Sequence, residues 1–414
     1  MSVRVELTNG TQARDRTTER YSQSSSFISP VDDSMASTSM VYWMVISALF
    51  GLIIVEASTA WPVGPGLNDF GAFLGIGRAL RAGIPPYLVL PTTPTVLIKG
   101  FWIPWPNANP PALLPVLYLI SAFPPLAAFR AWFVVCLGLY CGLVVMLLRA
   151  YPSWRTPLGV TLLGAFLPFW ASEERGQIYV PLALMAAAAW LALVSGKTSR
   201  AGILIGALVA LKPNFAVWPA ALLLAGFTST AMWATFTAAA LSAIPAIIYG
   251  PVIYAQWFAA IKVGDSVDMG IVSSVFGIGA IVGAPVLGNT IGLALSIAII
   301  VALACWAYRT KPTVLQASAL GIVAALVVGP ITWHGYGLLL LPILLSRRWS
   351  WTLALALALS FLPFNILPFF ALVGLDVIRR GDQGLVSAWS FDHGNELIPR
   401  RSLVYANEAT SVRK

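Results

Sequence analysis

From Met40 to Leu375 the chain alternates long apolar runs with short polar knots, while the stretches before and after are polar. Many of the runs approach the roughly 20 apolar residues that a helix needs to cross a bilayer. The residue-by-residue alternation of an outer-membrane barrel is absent. The pattern therefore predicts an all-α polytopic membrane protein with about ten to twelve transmembrane helices. Residues 1–39 are rich in Ser and Thr with mixed charges, and lack the basic-then-apolar order of a cleavable signal, so they read as a disordered tail. Met40–Ala57 is then an uncleaved first span. Residues 40–375 form one membrane domain and 376–414 a second polar tail. Two segments, 110–126 with its "FPP" break and 269–286, are short enough to enter and leave by the same face.

Composition strengthens this picture. Hydrophobic residues make up 58% of the chain and charged residues 10%, which is too apolar for a soluble domain of 414 residues. The net charge of +9 is spread over helix ends and is not interleaved with aromatics in a basic run, so nucleic acid is not an expected partner. Lys and Arg in short loops instead mark the cytoplasmic side: Arg149 and Arg155, Lys197 and Arg200, Arg309 and Lys311, Arg347 and Arg348. The outer loops are then 58–109, "SEERGQIY" at 172–179, "LKPNF" at 211–215, "YAQWFAAIKVGDSVD" at 254–268 and "ITWHGY" at 331–336.

Several kinds of chemistry drop out. Cys136, Cys141 and Cys305 are odd in number and lie in apolar runs, so they read as small core residues, not as a disulfide or zinc set. Walker A, H-E-x-x-H and G-x-S-x-G patterns do not occur. Gly277, Gly279 and Gly283 have the wrong spacing for a dinucleotide fingerprint; with Gly202 and Gly206 they read as sites of close helix packing.

Within the membrane domain the acids are Glu56, Asp69, Glu173, Glu174, Asp265 and Asp268, and each requires a reason because charge near a bilayer interior is costly. Glu56 can snorkel to the interface, Glu173, Glu174 and Arg175 can pair in their loop, and Lys262, Asp265 and Asp268 can form another solvated loop. Asp69 opens an amphipathic segment in which Phe70, Phe73, Leu74, Gly77 and Leu80 share one face and Arg78 and Arg81 another, as in a helix lying flat on the membrane. Two roles are open to it. Asn68 or Asp69 can cap that helix, and a carboxylate can also take the proton of an attacking hydroxyl. Gln177, at the outer start of a span, has an amide suited to sugar hydroxyls. Lys212, alone between "GALVAL" and "PNF", calls for a polar cavity or an anion such as phosphate, or for snorkelling. His334, beside Trp333 and Tyr336, can line a sugar pocket. Arg78, Arg81 and Tyr336 complete the candidate substrate-binding set.

The ordered segments "NDFGAFLGIGRALRAGIPPY", "NPPALLPVLYLISAFPP", "RGQIYVPLALMAAAAW", "RAGILIGALVALKPNF" and "GPITWHGYGLLLLP" together resemble glycosyltransferase family 87 from about residue 43 to 370. The resemblance implies a GT-C bundle with a juxtamembrane helix in the first outer loop. It implies an inverting hexosyltransferase, mannose being the foremost sugar, that takes its sugar from a polyprenyl phosphate and passes it to a glycolipid or envelope glycan outside the cytoplasmic membrane. Asp69 matches the family's catalytic base, and Gln177 and Lys212 fall on the active-site side, Lys212 against the donor phosphate. Many relatives carry paired histidines or an acid after the Pro-x-x-Trp of the last motif; here Pro330-Ile-Thr-Trp333 is followed by His334-Gly335-Tyr336, one position displaced. No ligand set accompanies Asp69 at a metal-binding spacing, so no cofactor is expected, with a divalent ion left open. A transporter or lipid flippase is the alternative; it would be expected to show internal repeats and ionisable groups at the midplane, and neither is evident.

Overall fold

The computed structural model describes residues 33–63, 67–87, 95–98, 101–104, 109–264, 273–278, 285–362 and 366–381. The chain divides into two compact units, Met1–Val45 and Ile46–Lys414, and the second carries everything that bears on function. Helix α1 (Asp33–Ala60) runs through the junction and starts within the stretch expected to be a tail. In the first long loop come α2 (Asn68–Arg81) and a two-stranded antiparallel ribbon, β1 (Thr95–Ile98) and β2 (Phe101–Pro104). That ribbon departs from an otherwise helical pattern. It is intelligible locally, because two quartets rich in β-branched and aromatic residues flank Lys99-Gly100.

The chain then forms α3 (Leu114–Ile120), α4 (Pro125–Ala150), α5 (Pro157–Gly164), α6 (Leu167–Arg175), α7 (Tyr179–Val194), α8 (Thr198–Leu211), α9 (Val217–Leu224), α10 (Thr228–Tyr249) and α11 (Val252–Gly264). It closes with α12 (Pro285–Thr310), α13 (Val314–Val328), α14 (Leu341–Ser346), α15 (Trp351–Leu359) and α16 (Leu367–Arg380). Among the described residues, four segments are long and apolar enough to cross a bilayer: Ser39–Ala60, α4, α10 and Asn289–Thr310. The remaining apolar helices are shorter, 10–17 residues. On the long helices Val134, Phe236, Ile247 and Ile297 are exposed, as lipid-facing side chains must be when no polar surface competes for the outside. Expected segment 110–126 holds only a 3-10 turn and the short α3, too little to cross.

The inner core is built around α13, which is buried on nearly every side and packs against α7, α9, α12 and α16. A helix that is apolar all round belongs in such a position. Its start is secured by a capping box, in which Thr313 Oγ1 accepts from the Gln316 amide and the Gln316 side chain accepts from the Thr313 amide. Gly202 and Gly206 bring α8 against α10 as expected: a Cβ on Gly206 would lie 2.3 Å from the Ala234 carbonyl oxygen, and one on Gly202 2.5 Å from Trp233 Cβ. Gly279 and Gly283 lie outside the described residues. Of the cysteines, only Cys136 is buried; Cys141 and Cys305 are exposed on long helices, where apolar faces outnumber protein neighbours.

Two of the loops expected to be inner meet: Trp154, beside Arg155, packs near Trp349, beside Arg348, and the Trp190 indole donates to the Tyr151 hydroxyl. Elsewhere Ser273 N–H donates to the Thr332 carbonyl and Ile366 N–H to Ser273 Oγ. One boundary moves. α16 continues to Arg380, and Asp376, read as the first residue of a polar tail, is 1% exposed in an ion pair with Arg347. A polar residue at a helix end looks the same in sequence whether its partner is water or a buried guanidinium.

Candidate active site

α2 is not a helix lying free on a surface. Every residue from Phe70 to Gly77 is buried, because the positions between its bulky residues are Gly71, Ala72, Gly75 and Gly77 and let neighbours approach on all faces. At Gly77 a Cβ would sit 2.2 Å from the Leu117 carbonyl oxygen of α3. Two turns earlier Phe70 stacks on Phe129 of α4, ring centroids 4.9 Å apart. α2 is thus wedged among α3, α4 and α6. Neither Asn68 nor Asp69 is its cap: the N-cap position is Leu67, and no side chain caps it. Asp69 is in the first turn, where the helix dipole favours negative charge.

Half-buried there, Asp69 accepts a hydrogen bond on Oδ2 from Gln177 Nε2 at 2.5 Å. Oδ1 accepts none among the described residues. Gln177 is delivered by a helix stop. Gly176 ends α6 in the left-handed conformation at φ +66°, Gly176 N–H bonds to the Glu173 carbonyl and Gln177 N–H to the Ser172 carbonyl, which together make a Schellman motif. A side chain at 176 would meet both a strained φ and Phe70 Cβ at 2.6 Å, so the same glycine sets the turn and the α2–α6 separation.

Lys212 enters from the break between α8 and α9. Pro213 stops α8, as expected, and Lys212 takes an extended conformation before a 3-10 turn. Its Nζ lies 5.6 Å from the ring centres of both Tyr179 and Tyr336, within cation–π range, and forms no hydrogen bond or ion pair among the described residues. The turn is outside the apolar spans, and burial pushes the Lys212 ammonium down to about 8 while Asp69 pulls it up. Tyr179, whose ring faces Lys212, is two residues from Gln177, the donor to Asp69, so both groups belong to one junction. Tyr179 and Tyr336 are themselves 4.3 Å apart.

The other expected residues divide. Tyr336 is 2% exposed and serves as a platform under Lys212, not as an open sugar-binding face. His334 Nε2 faces the Ser360 carbonyl at 3.0 Å; a carbonyl only accepts, so that nitrogen carries the proton and ties the ring to the end of α15. Its neighbour Gly335 packs directly on Tyr179. Arg81 is used up elsewhere, about 18 Å from Asp69 along the helix. Its Nε donates to the Tyr118 carbonyl and Ser121 Oγ, both at 3.0 Å, and its guanidinium lies over the Tyr118 ring, clamping α2 to the C-terminus of α3. Arg78 is half-buried, and its guanidinium makes no hydrogen bond or ion pair among the described residues.

Two contributors escape the pattern of the sequence. Tyr179, hidden as the first residue of an apolar run, presents its ring to Lys212 and packs against Tyr336. Arg175 does not join its neighbouring acids as expected: its guanidinium lies 5.4 Å from the Trp333 ring centre, while Glu173 is buried beside Cys136. The signal available for both was the run Arg175-Gly176-Gln177-Ile178-Tyr179, polar and aromatic groups around a helix-stopping glycine. Asp265 and Asp268 lie outside the described residues, and no cluster of three metal-ligating side chains occurs among the described ones.

No curated protein and no solved structure matches the chain. The model of glycosyltransferase family 87 matches residues 107–330, a stretch that includes Arg175, Gln177, Tyr179 and Lys212, with Asp69 ahead of it and His334 just beyond. Apolar helices long enough to cross a bilayer agree with a membrane-embedded transferase, and the match spans more than half of the chain. The chain belongs to glycosyltransferase family 87.

Proposed function

We propose that this glycosyltransferase moves a hexose, mannose in particular, from a polyprenyl phosphate to a glycolipid or envelope glycan. The reaction runs at the extracytoplasmic face of the cytoplasmic membrane, with Asp69 as general base. The observation that carries this reading is the state of Asp69: one carboxylate oxygen is held by Gln177, the other receives no donor among the described residues, and the ammonium of Lys212 is close but unpaired there. A carboxylate with one oxygen open and a cation left unpaired are the two groups that a base and a phosphate partner require.

In the proposed step the acceptor hydroxyl gives its proton to Asp69 Oδ1 as its oxygen attacks the anomeric carbon. The bond from that carbon to the phosphate oxygen breaks, and its electron pair leaves with the lipid phosphate. A single displacement inverts the anomeric configuration. Lys212, with Arg175 as a second cation at the rim, counters the charge that builds on the departing phosphate. Because the donor is already a phosphodiester on a lipid, the reaction needs no nucleotide fold. Four of the loops expected to be outer meet through Asp69, Gln177, Tyr179, Lys212 and Tyr336, which supports placing the site on the face away from the basic loops.

The test is transfer of labelled hexose from a synthetic polyprenyl phosphate donor to envelope lipids by the purified protein, wild type against Asp69→Asn. The substituted amide keeps the shape of the carboxylate and loses the base, so transfer is expected to fall about 100- to 10,000-fold. Retained transfer would reject Asp69 as base, and solute uptake into liposomes without transfer would favour the transporter alternative.

A further inference from the structure

We infer that Gln177 is a positioning residue that fixes the Asp69 carboxylate through its amide N–H, and is not a group that recognises the sugar. The inference rests on the reading of Asp69 as general base. A carboxylate at the start of a helix can rotate about its two side-chain torsions, and only some orientations aim a lone pair at an incoming hydroxyl. Gln177 removes that freedom by donating to Oδ2 and leaving Oδ1 to the substrate. Which end of the amide does this is settled by charge: Oε1 against Oδ2 would set two acceptors face to face, so Nε2 must point at Asp69. Oε1 is buried and has no hydrogen-bond partner among the described residues. One amide N–H is thereby committed to the carboxylate, so the orientation of the amide is set by Asp69 before any sugar arrives.

The backbone under Gln177 is built for accuracy. The two hydrogen bonds of the Schellman motif fix residues 176 and 177 against the last turn of α6, Gly176 supplies the left-handed φ, and Phe70, next to Asp69 in sequence, packs directly on that glycine. Gln177 is 7% exposed, so its side chain has little room to leave the carboxylate. Position of donor and acceptor is thus set by one packed junction between α2 and α6, independent of bound substrate.

The test compares kcat and KM for Gln177→Leu, which removes the amide, and for Gln177→Glu, which keeps its shape but replaces the donor by a second carboxylate. A lost hydrogen bond to a charged group lowers kcat about 10- to 100-fold, with donor and acceptor KM within about twofold of wild type. Gln177→Glu is expected to fall at least as far, through repulsion between like charges. In an Asp69→Asn background, adding Gln177→Leu is expected to cost nothing more. A raised donor KM with kcat kept would overturn the inference in favour of sugar recognition, as would a variant that no longer distinguishes donors lacking one sugar hydroxyl. If Gln177→Leu does not fold, Gln177→Glu alone decides. Failure of the underlying reading looks different: Asp69→Asn would then retain transfer, whatever Gln177 does. If Asp69→Asn is inactive and both Gln177 variants are at full rate, only the positioning role is wrong.

Discussion

The two ends of the bundle each hold a buried or half-buried aspartate near basic side chains, and they treat it in opposite ways. At the basic end Asp376 is saturated. It accepts from Arg347 Nε on Oδ2, and from Ser350 Oγ at 2.8 Å and Arg380 at 3.3 Å on Oδ1, while the second arm of Arg347 spans the Asp376 and Gly381 carbonyls. At the other end Asp69 takes one neutral donor, and its cation, Lys212, is held at a distance over two aromatic rings. A buried charge left unpaired is costly, so full pairing is what stability alone would select. On the proposed function, the incomplete pairing of Asp69 and Lys212 is the place kept for substrate.

Four substitutions sharpen that contrast. Asp69→Asn removes the base, and transfer is expected to fall about 100- to 10,000-fold with the thermal unfolding midpoint little changed. An equal loss of unfolding temperature would make Asp69 a second Asp376. Asp376→Ala strands Arg347 in the protein interior and is expected to cost about 3–5 kcal/mol of stability, read as a large drop in unfolding temperature in detergent. A stable, fully folded Asp376→Ala protein would remove the basis of the comparison. Lys212→Met keeps the packing against Tyr179 and Tyr336 and loses the charge; donor kcat/KM is expected to fall about 10- to 100-fold. The same group predicts a pH effect. The ammonium is charged below about 8 and neutral above it, so donor KM in the wild type should rise as the pH climbs through that value, and this rise should vanish in Lys212→Met. Arg81→Ala is the smallest change: it loosens the α2–α3 clamp by about 1 kcal/mol and leaves transfer per folded molecule intact. Lost transfer at unchanged stability would return Arg81 to the substrate-binding set.

Much of this contrast was readable along the chain and some was not. The apolar runs, the basic loops and the Pro213 break came directly from composition and spacing, because a bilayer and a proline impose rules that act on each segment separately. The embedded setting of α2 was not readable. Its one apolar stripe predicts a surface helix, and only the neighbours show that Gly77, on that stripe, lies against α3 and that Phe70 packs on Gly176 at the end of α6. Arg81 and Gln177 were assigned to substrate for the same reason: an exposed-looking polar group in one sequence carries no sign of the carbonyl or carboxylate that meets it in space.

The linear order of residues was enough to predict a helical membrane bundle and the short set of polar residues that needs a function, since these follow from local hydrophobicity and charge. Which of those residues meet is a matter of tertiary packing. Asp69 and Gln177 are 108 positions apart in the chain and become hydrogen-bonded only because Gly176 lets Phe70 close on the end of α6. Asp376 and Arg347, 29 positions apart, are joined by the docking of α16. Pairing energy depends on distance and burial, and neither quantity exists until the helices pack.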